Sequence, residues 1–203
     1  RKLAGSTLDE HLSDVADDSI ASIAIRYSHP EWIVNSYRDF ISDINELKEL
    51  LKSNNTPVPP TLVAWPGRST RDELVNLGAV ATKYSIYGAT YSGAPGDLQP
   101  IRERRAGVQD EGSQILTMIF SEVAREHEPW LDLCAGPGGK AALLSSLAQG
   151  DFYANEISNI RADLVRRVVK TGTHISIGDG REIELNVGSI LADVPCTGLG
   201  ALR

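Results

Sequence analysis

The sequence predicts an α/β fold: a mostly parallel sheet with helices on both faces, preceded by a small α/β module. Two observations carry this. Residues Trp130 to Lys140 run from an apolar strand (Trp130, Leu131, Leu133) through a glycine-rich turn into a helix reaching Leu147. That is the layout of a nucleotide or nucleoside site at the carboxyl end of the first strand of an open α/β sheet. Three further apolar stretches, Phe152 to Ala154, His174 to Ile177 and Ser189 to Ala192, each end in polar residues: Asn155-Glu156, Gly178-Asp179-Gly180-Arg181 and Asp193-Val194-Pro195-Cys196. Parallel strands all point one way, so these polar ends gather on one side of the sheet.

In chain order, residues 1–28 read as the tail or linker of an upstream element, with Thr7 or Ser6 capping a short helix through Leu12 and Val15. Residues 29–105 read as the small α/β module. Trp32, Ile33, Tyr37, Phe40, Ile41 and Ile44 recur at helical spacing and are expected in a core. Leu47, Leu50 and Leu51 continue the stripe in a second helix. Asn54 to Pro57 end that pair. Pro57, Pro59 and Pro60 keep the next piece extended, so Thr61 to Trp65 is expected as an edge strand. Ser69 or Thr70 caps a helix through Leu74 and Leu77, and Gly88, Gly93 and Gly96 punctuate a turn-rich stretch. Residues 106–203 form the larger unit. Asp110 caps a helix carrying an Ile115, Ile119, Val123 stripe, and four β/α units follow with right-handed crossovers.

Composition narrows the function classes. The 203 residues carry a net charge of −7. There is no apolar run of membrane length and no secretory signal. Two cysteines, Cys134 and Cys196, make no disulfide framework and fit a reducing, cytoplasmic setting. Four scattered histidines without paired cysteines give no zinc pattern, so no metal is expected. The acid balance runs against a nucleic-acid partner, which wants a basic surface. Basic clusters do exist, at Arg102, Arg104 and Arg105, and at Arg161, Arg166, Arg167 and Lys170; a solvated face is the plain alternative for both.

The turn Cys134-Ala135-Gly136-Pro137-Gly138-Gly139-Lys140 allows a tight bend and a close backbone approach to a ligand. Gly136, Gly138 and Ala141 also satisfy the dinucleotide pattern, which leaves a nicotinamide-dependent oxidoreductase as an alternative. Glu156, 24 residues after Asp132, stands where an acidic residue takes both ribose hydroxyls.

Taken together, Asp132 to Lys140, Asn155-Glu156, Gly178 to Arg181 and Asp193 to Arg203 resemble the RNA (cytosine-C5) methyltransferases of the NOL1/NOP2/Sun family. The approach segment Gln109-Asp-Glu-Gly-Ser-Gln114 is similar to that family too, and Arg26 to Trp32 resembles its bacterial Sun branch. The resemblance runs from about residue 20 to the end and implies a Rossmann-like, S-adenosylmethionine-dependent methyltransferase sheet, of which this chain holds the first four strands. It implies that Cys134 to Lys140 hold the methionine part of S-adenosylmethionine, that Glu156 binds the ribose, that Asp179 sits by the adenine, and that Asp193 lies between methyl donor and target base. It implies RNA as partner, small-subunit (16S) ribosomal RNA in the Sun branch, with a helical domain resembling the antitermination factor NusB upstream. A monomer is expected.

Cytosine C5 takes a methyl group only after a thiolate has added to C6. From this sequence alone Cys196, in a Pro-Cys turn after Asp193, is the good nucleophile candidate. The family resembled instead places its nucleophile on the next strand's loop, here beyond Arg203, and uses the Pro-Cys cysteine to release product. The chain is accordingly expected to be truncated, inactive alone, and short of residues near 180–190. The remaining alternative is a non-catalytic RNA-binding or assembly factor that keeps the fold.

Overall fold

A computed structural model describes residues 17–196. The expected helix around Leu12 and the segment after Cys196 lie outside the described residues. Within them the chain forms two compact units, residues 17–58 and residues 59–196.

The first unit is three helices: α1 (Ile20–Arg26), α2 (Glu31–Arg38) and α3 (Ile44–Asn54). Ser19 caps α1 by accepting from the Ser22 amide, and Asp43 caps α3 by accepting from the Asn45 amide at 2.8 Å. Ile23, Ala24, Val34, Leu47 and Leu51 make its core. The core therefore includes a helix assigned above to a linker, and the division falls at Val58, not at residues 28 and 105. Trp32 and Phe40 were expected inside, but are 55% and 90% exposed. The inward face of α2 is Ile33, Val34 and Tyr37, and Phe40 follows the end of the helix.

The second unit holds two sheets. The first joins β1 (Thr61–Ala64), β2 (Val80–Ala81), β3 (Gly88–Thr90) and β4 (Ala106–Val108) in the antiparallel order β2-β3-β1-β4. So β1 is central, not an edge: Leu62 faces Ala89 on one side and Val108 on the other. Its prolines precede the strand and cost the ladder no donor, and Pro60 even accepts from the Tyr91 amide at 3.0 Å. Helix α4 (Arg71–Asn76) starts at Thr70, whose hydroxyl accepts from the Glu73 amide at 3.1 Å. A short helix, α5 (Gln99–Arg102), leads to β4.

The second sheet is parallel, in the order β7-β6-β5-β8, from β5 (Trp130–Asp132), β6 (Phe152–Glu156), β7 (His174–Ile177) and β8 (Ser189–Leu191). Leu131 pairs with Tyr153 and with Ile190, which fixes the register at the sheet's centre. Helices α7 (Gly139–Leu147) and α8 (Asn159–Val168) make the first two crossovers. Between β7 and β8 a single 3₁₀ turn (Gly180–Glu182) replaces the expected helix, because the connection is too short for one. Trp130, Leu144, Phe152, Ala154 and Val165 fill the core.

Helix α6 (Glu111–Val123) spans both sheets, and here the expected stripe is reversed. Ile119 and Val123 are 59% and 75% exposed, whereas Gln114 and Thr117 are buried. The reason is hydrogen bonding. Gln114 donates to the Leu62 carbonyl at 3.2 Å and the Gln109 carbonyl at 2.8 Å, and accepts from the Ser85 hydroxyl at 2.6 Å. A buried amide so completely paired costs little. Arg68 stitches the two sheets together. Its guanidinium stacks 4.5 Å from the Trp65 ring and donates to the Val168 and Ala142 carbonyls and to Ser146. This explains why the antiparallel sheet belongs with the parallel one in a single unit.

Candidate active site

The strand ends converge as the pattern required. Asn155, at the end of β6, donates to the Leu133 and Gly178 carbonyls, both at 3.1 Å, and accepts from Ser176 at 3.0 Å. One amide thus ties the ends of β5, β6 and β7 together. The glycine loop between β5 and α7 follows from close approach. A Cβ on Gly136 would lie 2.2 Å from a Glu156 carboxylate oxygen. Gly138 has φ of +114° and backs onto Val165 and Val168, so the position is closed to other residues by both conformation and space. Helix α7 then begins without a side-chain cap, leaving its first amides for a ligand.

Glu156 is 3% exposed and fully occupied. One oxygen accepts from the Gly136 amide at 3.0 Å; the other accepts from the Ser158 amide at 2.9 Å and from Arg161 Nε and Nη2 at 3.0 and 2.6 Å. Asp132, at the end of β5, is its opposite. It is 1% exposed, its Oδ1 has no partner, and burial, with help from Asp193, pushes its carboxyl up to about 7. Lys140 reaches across to Asp193, 2.7 Å from Nζ to carboxylate. Burial and the carboxylates of Asp132, Glu156 and Asp193 raise the Cys134 thiol, the reverse of what a nucleophile needs. Asp179 caps the 3₁₀ turn and pairs with Arg181, which holds its carboxyl at about 2.

A cleft of about 240 Å³ opens at the ends of β5 and β8. Of the expected site residues, Cys134, Ala135, Gly136, Pro137, Gly139, Lys140 and Asp193 line it. Gly138, Glu156, Asp179 and Cys196 do not; Cys196 is exposed and Glu156 is sealed behind Arg161. Three residues the sequence reading did not assign to the site, Gln109, Asp110 and Ser113, form part of its wall together with Asp132. The signal for Asp132 was present in its position as the last residue of the apolar strand. Arg161 stood five residues after Glu156, in the first turn of the helix that follows β6. Among the described residues no group of three or more His, Cys, Asp or Glu could hold a metal ion, and no helix is long and apolar enough to cross a membrane.

Comparison with known proteins agrees with this geometry. Residues 121–203 match the family model for 16S rRNA methyltransferase RsmB/F. A Mycobacterium tuberculosis protein named as a methyltransferase is 38% identical over 220 residues, covering 100% of this chain and 48% of that protein. The human 28S rRNA (cytosine(4447)-C(5))-methyltransferase is 29% identical, over 98% of this chain and 26% of its own length. Ribosomal RNA small subunit methyltransferase B of Cronobacter sakazakii is 28% identical, over 88% and 44%. Among solved structures, a methyltransferase homolog protein from Pyrococcus horikoshii superposes with a TM-score of 0.65 at 18% identity, over 92% of this chain and 66% of that one. The structure of PH0851 reaches 0.74 at 19% identity, over 91% and 45%. The chain spans about half the length, or less, of the curated relatives named here. By its ordered strand-end motifs and these likenesses, the chain belongs to the RsmB/F (NOL1/NOP2/Sun) family of RNA cytosine-C5 methyltransferases.

Proposed function

We propose that the protein containing this chain transfers a methyl group from S-adenosylmethionine to C5 of a cytosine in small-subunit ribosomal RNA. The observation that carries this reading is the cleft itself: a buried carboxyl group with one unpartnered oxygen, Asp132 Oδ1, and a lysine-steered carboxylate, Asp193, face a glycine loop and an uncapped helix start. The residues fit the cofactor's charged end. Asp132 Oδ1 suits an ammonium, and the amides opening α7 suit a carboxylate. When bound, S-adenosylmethionine supplies an electrophilic sulfonium methyl group. Glu156 takes the ribose hydroxyls, with Arg161 giving way on the oxygen it now covers. Asp179 sits by the adenine.

Asp193, held by Lys140, hydrogen-bonds the extruded cytosine. A cysteine thiolate adds to C6, so C5 gains the electron pair that takes the methyl group. A base then removes the C5 proton, and the C6–sulfur bond breaks to return the thiolate. The nucleophile lies beyond Arg203, and Cys196 assists product release. The raised thiol of Cys134 leaves that residue a backbone role.

The test is methyl transfer by the full-length protein from tritiated S-adenosylmethionine to unmodified small-subunit ribosomal RNA, with the product mapped by bisulfite sequencing. Label confined to C5 of cytosine supports the reading. A protein that binds S-adenosylhomocysteine yet labels no cytosine is a binding factor instead.

A further inference from the structure

Gln109 is 7% exposed, and neither Nε2 nor Oε1 of its amide has a partner among the described residues. It lines the cleft that also holds Asp132, Lys140 and Asp193. Leaving both ends of a buried amide unpaired is costly, and native chains keep such groups where something else completes them. Its backbone, by contrast, is clamped from both sides: the amide donates to the Thr61 carbonyl at 3.0 Å, and the carbonyl accepts from Gln114 Nε2 at 2.8 Å. Gln114 in turn holds the Leu62 carbonyl of β1. The antiparallel sheet, not the glycine loop, therefore sets this side chain in the wall of the cleft.

The chemistry of the unpaired group names its ligand. A carboxamide offers one donor and one acceptor side by side without charge. The ammonium and carboxylate of an amino acid are charged, and the cleft already offers Asp132 and the α7 amides to them. A neutral ring edge presenting an acceptor beside a donor, as cytosine N3 and N4–H do, matches the amide atom for atom. We infer that Gln109 is a base-contacting residue: Nε2 donates to cytosine N3 and Oε1 accepts from the exocyclic amino group. This rests on the methyltransferase reading above. It also gives the antiparallel sheet a part in choosing the target base.

The experiment uses the full-length protein, wild type and Gln109→Ala, with a synthetic RNA spanning the cytidine that wild type methylates. A second RNA carries 2-pyrimidinone riboside there, lacking only the 4-amino group. RNA dissociation constants are measured with S-adenosylhomocysteine present. The expected result is that Gln109→Ala weakens the cytidine RNA about five- to tenfold, that it weakens the 2-pyrimidinone RNA distinctly less because only the N3 contact is left there to lose, and that S-adenosylhomocysteine affinity stays within about twofold of wild type. Independent, multiplicative losses from substitution and amino deletion overturn the inference, as does an equal loss of S-adenosylhomocysteine affinity, which would place the amide on the cofactor. A wild-type protein that methylates no cytidine overturns the methyltransferase reading and this inference with it. Gln109→Glu, isosteric and without the donor at neutral pH, guards against a loss caused by poor packing in the alanine variant. It is expected to weaken both RNAs by losing the N3 contact, yet to keep discriminating between them because its carboxylate still accepts from the 4-amino group.

Discussion

Two carboxylates end neighbouring parallel strands, and both are almost wholly buried: Asp132 at 1% exposure and Glu156 at 3%. Their surroundings could hardly differ more. Glu156 receives four hydrogen bonds, two of them from a guanidinium. Asp132 keeps one oxygen with no partner, and burial lifts its carboxyl to about 7. Glu156 is structurally complete, whereas Asp132 is left for a ligand to complete. The difference teaches where to look in this sheet: under the proposed function the end of β5 is open to a ligand, and the end of β6 would exchange Arg161 for one. The largest expected effects follow from disturbing the completed carboxylate.

Replacing Arg161 with Ala leaves Glu156 buried with two amide donors and no cation. The expected cost is about 3 kcal/mol, toward the low end for a broken buried pair because Arg161 is itself 42% exposed. Urea unfolding measures it. An unchanged midpoint would mean that the carboxylate is already hydrated. Gly136→Ala attacks the same group from the other side. Its Cβ would fall 2.2 Å from the carboxylate, and the expected cost is about 2 kcal/mol, with S-adenosylhomocysteine affinity lost in step.

Asp132→Asn works in the opposite direction. A carboxyl raised from its ordinary range to about 7 keeps its proton in the folded state where the unfolded chain has released it. Between about pH 4 and 7 the folded state thus binds more protons, and this site makes stability fall as pH rises through that window. The Asn variant should show a flatter pH dependence and greater stability than wild type at pH 8, while losing ligand affinity. The smallest stability effect belongs to Lys140→Met. Its partner Asp193 is 52% exposed on its side chain, so the pair is worth about 0.5 kcal/mol in denaturation, although methyl transfer should suffer severely. A large loss of stability with normal transfer would reverse the role given to that pair.

The comparison also shows what could be read from residues alone. The glycine loop, Asn155-Glu156 and Asp193 were legible because strand ends gather polar groups at one edge of a parallel sheet. Two of the parallel strands, β5 and β6, were legible for a related reason: buried on both faces, they read as short apolar runs, whereas β7 and β8 are largely exposed and were placed by the polar residues at their ends. The α6 stripe was not, since Gln114 and Thr117 face inward only because Leu62, Gln109, Ser85 and Ser113 supply partners distant or invisible in sequence. Nor was the central place of β1, whose neighbours β3 and β4 are three residues each, too short to show a period. Trp32 and Phe40 fit a helical spacing and still point outward, because a stripe identifies a face only once the helix ends are known. Gln109 and Asp132 were within quoted motifs, yet their value lies in unpaired atoms that only three dimensions reveal.

The most direct test of the central claim, that Asp132 waits for the cationic end of the cofactor, is calorimetric titration with S-adenosylhomocysteine from pH 5.5 to 8.5, beside Asp132→Asn. Binding an ammonium requires the carboxylate, so affinity should rise with pH, approaching tenfold per unit well below about 7, and level off above it, with a proton released on binding at low pH. The Asn variant should bind weakly and without this slope. Affinity that is independent of pH and retained in Asp132→Asn would contradict the account.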